Sequence, residues 1–145
     1  MATFNKVNDF VANAVHNMDL ESDQIVVALS NTAPGSETPN PAADGNGILA
    51  NVTQITYTNL SSRNVTTTSS TQTGGTYKLV LSDITLTSTG GSTGPFRYVY
   101  LFNDTVTAPA DPLVGYYDYG SSLTLNDGDS LTVDFSAANG VLQIA

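Results

Sequence analysis

The chain has 145 residues, of which thirteen are acidic and four basic, giving a formal net charge of −9. An excess of this size repels phosphate, on which nucleic-acid affinity rests, and disfavours anionic membrane surfaces in the same way. There is no cysteine, which excludes disulfides and thiolate metal sites, but a chain this long buries enough surface to fold as one domain without them.

Charged residues make up 12% of the chain, about half the share usual in globular domains. Thr, Ser, Asn and Gly supply the missing polarity. Thr suits pleated, half-buried surfaces and the others suit turns, so the composition is that of a β protein. Its acids are scattered singly and act as a solvated coat.

Residues 1–20 form the N-terminal helical segment. Within 4–18, Val7, Phe10, Val11, Ala14, Val15 and Met18 recur at helical spacing and make one apolar stripe. Thr3 or Asn5 is placed to cap its start. Such a helix packs on its own domain or reaches a neighbouring subunit. The segment lacks the basic and uninterrupted apolar regions of a secretory signal, and no run is long enough to span a membrane, so synthesis in the cytosol is expected.

Residues 21–145 are expected to form a β-sandwich or jelly roll with a long loop at 31–47. The run QIVVAL (24–29) is continuous and β-branched, as in a buried strand. Three prolines and three glycines then leave 31–47 without regular structure, an exposed loop that is mobile or ordered by a partner. Residues 48–55 fit a short helix by spacing and a strand by Thr content. Residues 64–71 and 76–87 flank Thr73-Gly74-Gly75 as a hairpin. In its second arm Tyr77, Leu79 and Leu81 lie on one parity and Ile84 and Leu86 on the other, so a bulge or bend at Ser82-Asp83 is required to keep one buried face.

Residues 96–102 alternate Phe96, Tyr98, Tyr100 and Phe102 against Arg97, Val99 and Leu101. Both faces are largely apolar, which makes this strand central or interfacial. A loop at 104–112 and a strand at 113–119 follow. The last predicted hairpin joins Leu123 and Leu125 to Leu131, Val133 and Phe135 through a three-residue loop, Asn126-Asp127-Gly128, with Gly128 left-handed and Leu123 opposite Leu131. A terminal strand spans 141–144.

Chemistry has few candidates. His16 is the single histidine, and without cysteine it cannot complete a zinc shell. Asn126, Asp127 and Asp129 crowd one turn, and Asp104 and Asp111 share a loop, either of which is an ordinary turn or a hard-cation site. Asp118 between Tyr117 and Tyr119 is the nearest approach to a sugar-hydrolase constellation, in a chain without Trp. The four sequons at Asn51, Asn59, Asn64 and Asn103 are what an Asn- and Thr-rich chain brings by chance. No catalytic residue, cofactor or metal is assigned.

Four stretches carry a resemblance: VALSNTAP (27–34), TGGTYKLVLSDITLTSTGGSTGPFRYVYLFNDT (73–105), DPLVGYYDYGSSLTLNDGDSLTVDF (111–135) and NGVLQIA (139–145). With the N-terminal segment they cover most of the chain, and they resemble a family of small virion structural proteins of tailed bacteriophages. The Pro-rich part, 34–47, is individual to this chain. The resemblance implies a non-enzymatic capsid decoration or cement subunit on the outside of the major capsid protein lattice. A tail-tube, adaptor or fibre-associated subunit is the alternative, and a glycan-binding sandwich the third. Capsid three-fold positions suggest a homo-oligomer, as a trimer. Phe10, Phe96, Tyr98, Tyr100 and Phe102 offer more apolar surface than a small sandwich needs, and are the expected interaction residues.

Overall fold

The computed structural model describes residues 2–145. Strands β1 (Phe4–Lys6), β2 (Ile25–Ser30), β3 (Asn64–Val65), β4 (Thr67–Thr73), β5 (Thr76–Leu81), β6 (Ile84–Thr87), β7 (Thr93–Asn103), β8 (Leu113–Leu125), β9 (Ser130–Val133) and β10 (Leu142–Ile144) accompany one α-helix, α1 (Phe10–His16). The fold is all-β, as its composition predicts. A five-stranded antiparallel sheet runs in the order β1-β8-β7-β2-β3, and two smaller sheets, β10-β5-β4 and β6-β9, pack on one of its faces.

The smaller sheets form one bent ribbon. β5 pairs β10, then β6 pairs β9, so the run 76–87 travels antiparallel to the run 130–144. The break falls at Ser82-Asp83, where the Asp83 carboxylate accepts the Phe135 amide at 2.8 Å. The bend does what the parity change demands: Leu79, Leu81, Ile84 and Leu86 all enter one core with Ile25, Val27, Leu29, Val99 and Leu101 of the large sheet. The β4–β5 turn is tighter than predicted. Thr73 pairs with Thr76, and Gly74 and Gly75 (φ 60° and 86°) form a two-residue loop whose positive φ values side chains resist.

The opposite face of the large sheet carries a second core of Val26, Ala28, Tyr98, Tyr100, Phe102 and Leu113, joined by Val7 and Val52. Its cover is irregular. Ala33 and Leu49 pack onto it from the segment 31–55, which has only single 3₁₀ turns at Pro34–Ser36 and Leu49–Asn51. The predicted exposed loop is therefore ordered by the chain itself, and Pro34 and Pro41 are buried. Asp9 accepts the amides of Gly45 (2.8 Å) and Gly47 (2.7 Å), and Glu37 accepts the Thr53 amide (2.9 Å) and hydroxyl (2.7 Å). With both faces covered, β2 has six consecutive buried residues.

β3 pairs only the start of β2. Further along that edge, the Val27 amide donates to the Arg63 carbonyl (2.9 Å), the Arg63 guanidinium donates back to the Val27 carbonyl, and the Leu29 amide donates to the Tyr57 hydroxyl (2.9 Å). Arg63 also lies over the Tyr57 ring, 3.8 Å from its centroid. Irregular backbone bonds, including the Ile55 amide on the Leu29 carbonyl (3.0 Å), and these two side chains together finish the edge beyond β3.

Three expectations are corrected. The helix is shorter than 4–18: Phe4–Lys6 is a strand on the edge of β8, where the Phe4 ring packs on Tyr117 at 5.2 Å, and Asp9 stands at the N-cap in place of Thr3 or Asn5. Pairing with a sheet edge outweighs local helical spacing there. The last hairpin does not close on itself. Leu123 pairs Phe96 and Leu131 pairs Leu86, because residues 126–129 carry the chain from the large sheet to the ribbon. That turn is held by the Gly128 amide on Ser88 O (2.8 Å) and the Gly90 amide on Asp127 (2.9 Å), with Gly128 left-handed as expected (φ 87°). Finally, register shifts in β7 move Phe96 to the face of Val99 and Leu101, away from Tyr98, Tyr100 and Phe102.

Candidate docking groove

The five residues expected to meet a partner do not lie on the surface. Phe10, Phe96, Tyr98, Tyr100 and Phe102 are all buried within the chain, Phe10 and Phe96 in one core and the three others in the second. They count as excess only if a sheet has one buried face, and this one has two. Among the described residues Tyr100 Oη has no hydrogen-bond partner in the protein, and burial pushes that phenol well above its ordinary range.

The surface apolar residues lie elsewhere. α1 turns Phe10 into the sandwich core, with Ala14 and Met18 packed against it, while Val11 and Val15 stay 51% and 77% exposed. At about 100° per residue the predicted stripe spans an arc of about 140°, and a core contact takes only one side of it. The exposed side walls an open groove of about 850 Å³. Its other wall is the end of the small sheet, with Tyr77, Leu142 and Ile144, the last 49% exposed.

Polar groups mark the ends of α1 along this groove. Lys6 precedes the helix, and Asp19 and Glu21 follow it. Hydrogen bonds from Ser22 and from the Glu21 amide hold the Asp19 carboxyl below the usual carboxylate range. Tyr77 shares a hydrogen bond with Ser70 (2.9 Å), and its phenol is raised by burial and then by the charges of Asp19 and Glu21. The two acids and Tyr77 therefore act on the same space. Sequence reading named Val11 and Val15 but missed Tyr77 and Ile144, because only folding brings β5 and β10 beside the helix.

Asp118, Asp127 and Asp129 are tied to structural partners. Asp118 makes a bidentate pair with Arg97 (2.7 and 2.8 Å) and accepts the Gly120 amide (2.8 Å). The Arg97 hydrogen bond leads the effects that lower its carboxyl pKa, the opposite of what a general acid requires. Asp127 holds the Gly90 amide, and Asp129 accepts from Asn126 (2.9 Å). Asp111 is raised by burial and then by Asp104. His16 lies exposed on α1. Among the described residues no three His, Asp or Glu side chains gather as metal ligands, and no helix is long and apolar enough to cross a membrane.

The fold is all-β, with an open groove whose walls carry exposed apolar residues. No protein-family model matches the chain, and no curated protein or solved structure matches it.

Proposed function

We propose that this protein is a non-enzymatic structural subunit of a tailed-bacteriophage virion, a homo-oligomeric decoration subunit on the outside of the major capsid protein lattice. The observation that carries the reading is the contrast on the surface: among the described residues, three of the four exposed large hydrophobic residues, Val11, Val15 and Ile144, line one groove, while Asp118, Asp127 and Asp129 are engaged in holding turns and strands. Such a surface suits docking, which needs shape and apolar area. The resemblance adds the virion context, and its four stretches take in the last four residues of β2 with the turn that follows, β5 to β7, β8 to β9 and β10. The net charge of −9 favours a position away from packaged DNA. A lattice with many copies multiplies a modest affinity per site.

Gold-labelled antibody against the protein, applied to intact virions, tests this reading. Label spread over the head supports it. Label confined to the tail overturns the capsid position in favour of a tail subunit, and purified virions free of the protein overturn the reading altogether.

A further inference from the structure

We infer that the groove beside α1 is the contact between two copies of this chain, related by a two-fold axis, with Val15 of each copy seated in the groove of the other. This deepens the proposed function by naming a surface for its oligomer; the two-fold contact departs from the trimer that capsid three-fold positions suggest and is argued from the groove itself. Val15 is the most exposed of the large hydrophobic residues described, on the rim of a groove whose far wall carries exposed Ile144. Each copy thus has both a protruding apolar side chain and a hollow to receive one, which is the self-complementarity an isologous contact requires.

Charge decides the orientation. The groove has a cation, Lys6, on the N-terminal side of the seven-residue helix α1, and the acids Asp19 and Glu21 on its C-terminal side. Two copies packed with their helices antiparallel set each Lys6 against the other's Asp19 and Glu21. Parallel packing would set acids against acids, which a chain of charge −9 tolerates poorly. Among the described residues the Lys6 ammonium has no hydrogen-bond or ion-pair partner, which leaves it available for this role. Arg97 pairs with Asp118, Arg63 covers Tyr57 and bonds Val27, and Lys78 donates to the Ala138 carbonyl (3.0 Å).

Light scattering and sedimentation of the purified chain over a concentration series test the inference in solution, so the outcome is separate from where the protein sits in a virion. The expected mass is twice the 15.1 kDa chain. Val15→Asp, at a position that contributes little to the fold, should convert the dimer to monomer at concentrations where the parent is paired. Lys6→Glu and Glu21→Lys should each weaken association on the order of tenfold, since each breaks or reverses two exposed ion pairs. An equimolar mixture of these two variants should recover much of the pairing, because in their heterodimer positions 6 and 21 carry opposite charges in both contacts and only Asp19 of one copy faces a like charge. A purely intrachain role for these residues predicts no recovery on mixing. A parent that stays monomeric, a parent that forms trimers, or a dimer indifferent to Val15→Asp would each overturn the proposal. Circular dichroism of every variant separates lost pairing from lost folding, and Val15→Ser replaces Val15→Asp if the latter unfolds.

Discussion

One face of the five-stranded sheet presents Val27, Leu29, Val99 and Leu101 to the bent ribbon, and the other presents Val26, Ala28, Tyr100 and Phe102 to the irregular segment 31–55. The first cover is made of strands, which pair one another along the ribbon and whose side chains arrive at regular spacing. It interdigitates with aliphatic residues. The second cover brings unpaired backbone groups with it, which must find partners. Asp9 and Glu37 supply some of those partners, whereas the Tyr100 hydroxyl beneath finds none among the described residues. A regular cover is held mainly by packing, while an irregular one relies also on a few identifiable polar bonds.

That contrast can be broken at particular residues. The largest effect is expected for Leu101→Ala, which opens a cavity in the fully buried face under the ribbon and should cost about 2–5 kcal/mol in urea or thermal unfolding. An unchanged melting temperature would show that the ribbon side is not the main core. Asp9→Ala comes next, at about 1–3 kcal/mol, since it leaves the Gly45 and Gly47 amides without their carboxylate. Hydrogen exchange should accelerate at those two amides before any change appears in β2 or β7; uniform acceleration would mean that the loop is not a separable cover.

Tyr100→Phe sharpens the comparison from the other side. It removes a hydroxyl without a protein partner and keeps the ring, so stability should hold or rise by up to about 1 kcal/mol. A clear loss would show that the hydroxyl is satisfied in solution. The smallest effect belongs to Arg97–Asp118, which lies outside both cores. Its hydrogen bonds lower the Asp118 carboxyl in the folded state, so its stabilisation is fully present above the ordinary aspartate value of about 3.9 and is lost as pH falls through the lowered folded value. Asp118→Asn should therefore flatten the acid limb of the pH–stability curve slightly, by less than about 1 kcal/mol for so exposed a pair. An equal loss at pH 3 and pH 7 would point to geometry and not charge.

Much of the strand pattern is legible in the sequence. The buried run at 24–29, the hairpin at Gly74-Gly75, the change of parity at Ser82-Asp83 and the left-handed Gly128 each follow from residue type and spacing. The groove is legible only in half. The helical stripe includes Val11 and Val15, but Tyr77 and Ile144 lie more than fifty residues away in the chain, and no local signal joins them. The burial of Tyr98, Tyr100 and Phe102 within the chain is illegible for a related reason: an apolar strand face reads the same whether its cover is another molecule or a loop of the same chain.

Local composition and periodicity determine which side chains turn inward, because alternation fixes the face of a strand wherever that strand pairs. They leave the pairing partner open. Leu123 and Leu131 satisfy the same alternation as neighbours in a hairpin or as strands of different sheets facing one core, and only the tertiary structure selects the second. Phe4–Lys6 is likewise a strand because the edge of β8 is there to receive it. Face selection is a property of consecutive residues, whereas partner selection depends on which distant surfaces meet, and that is decided when the two cores close together.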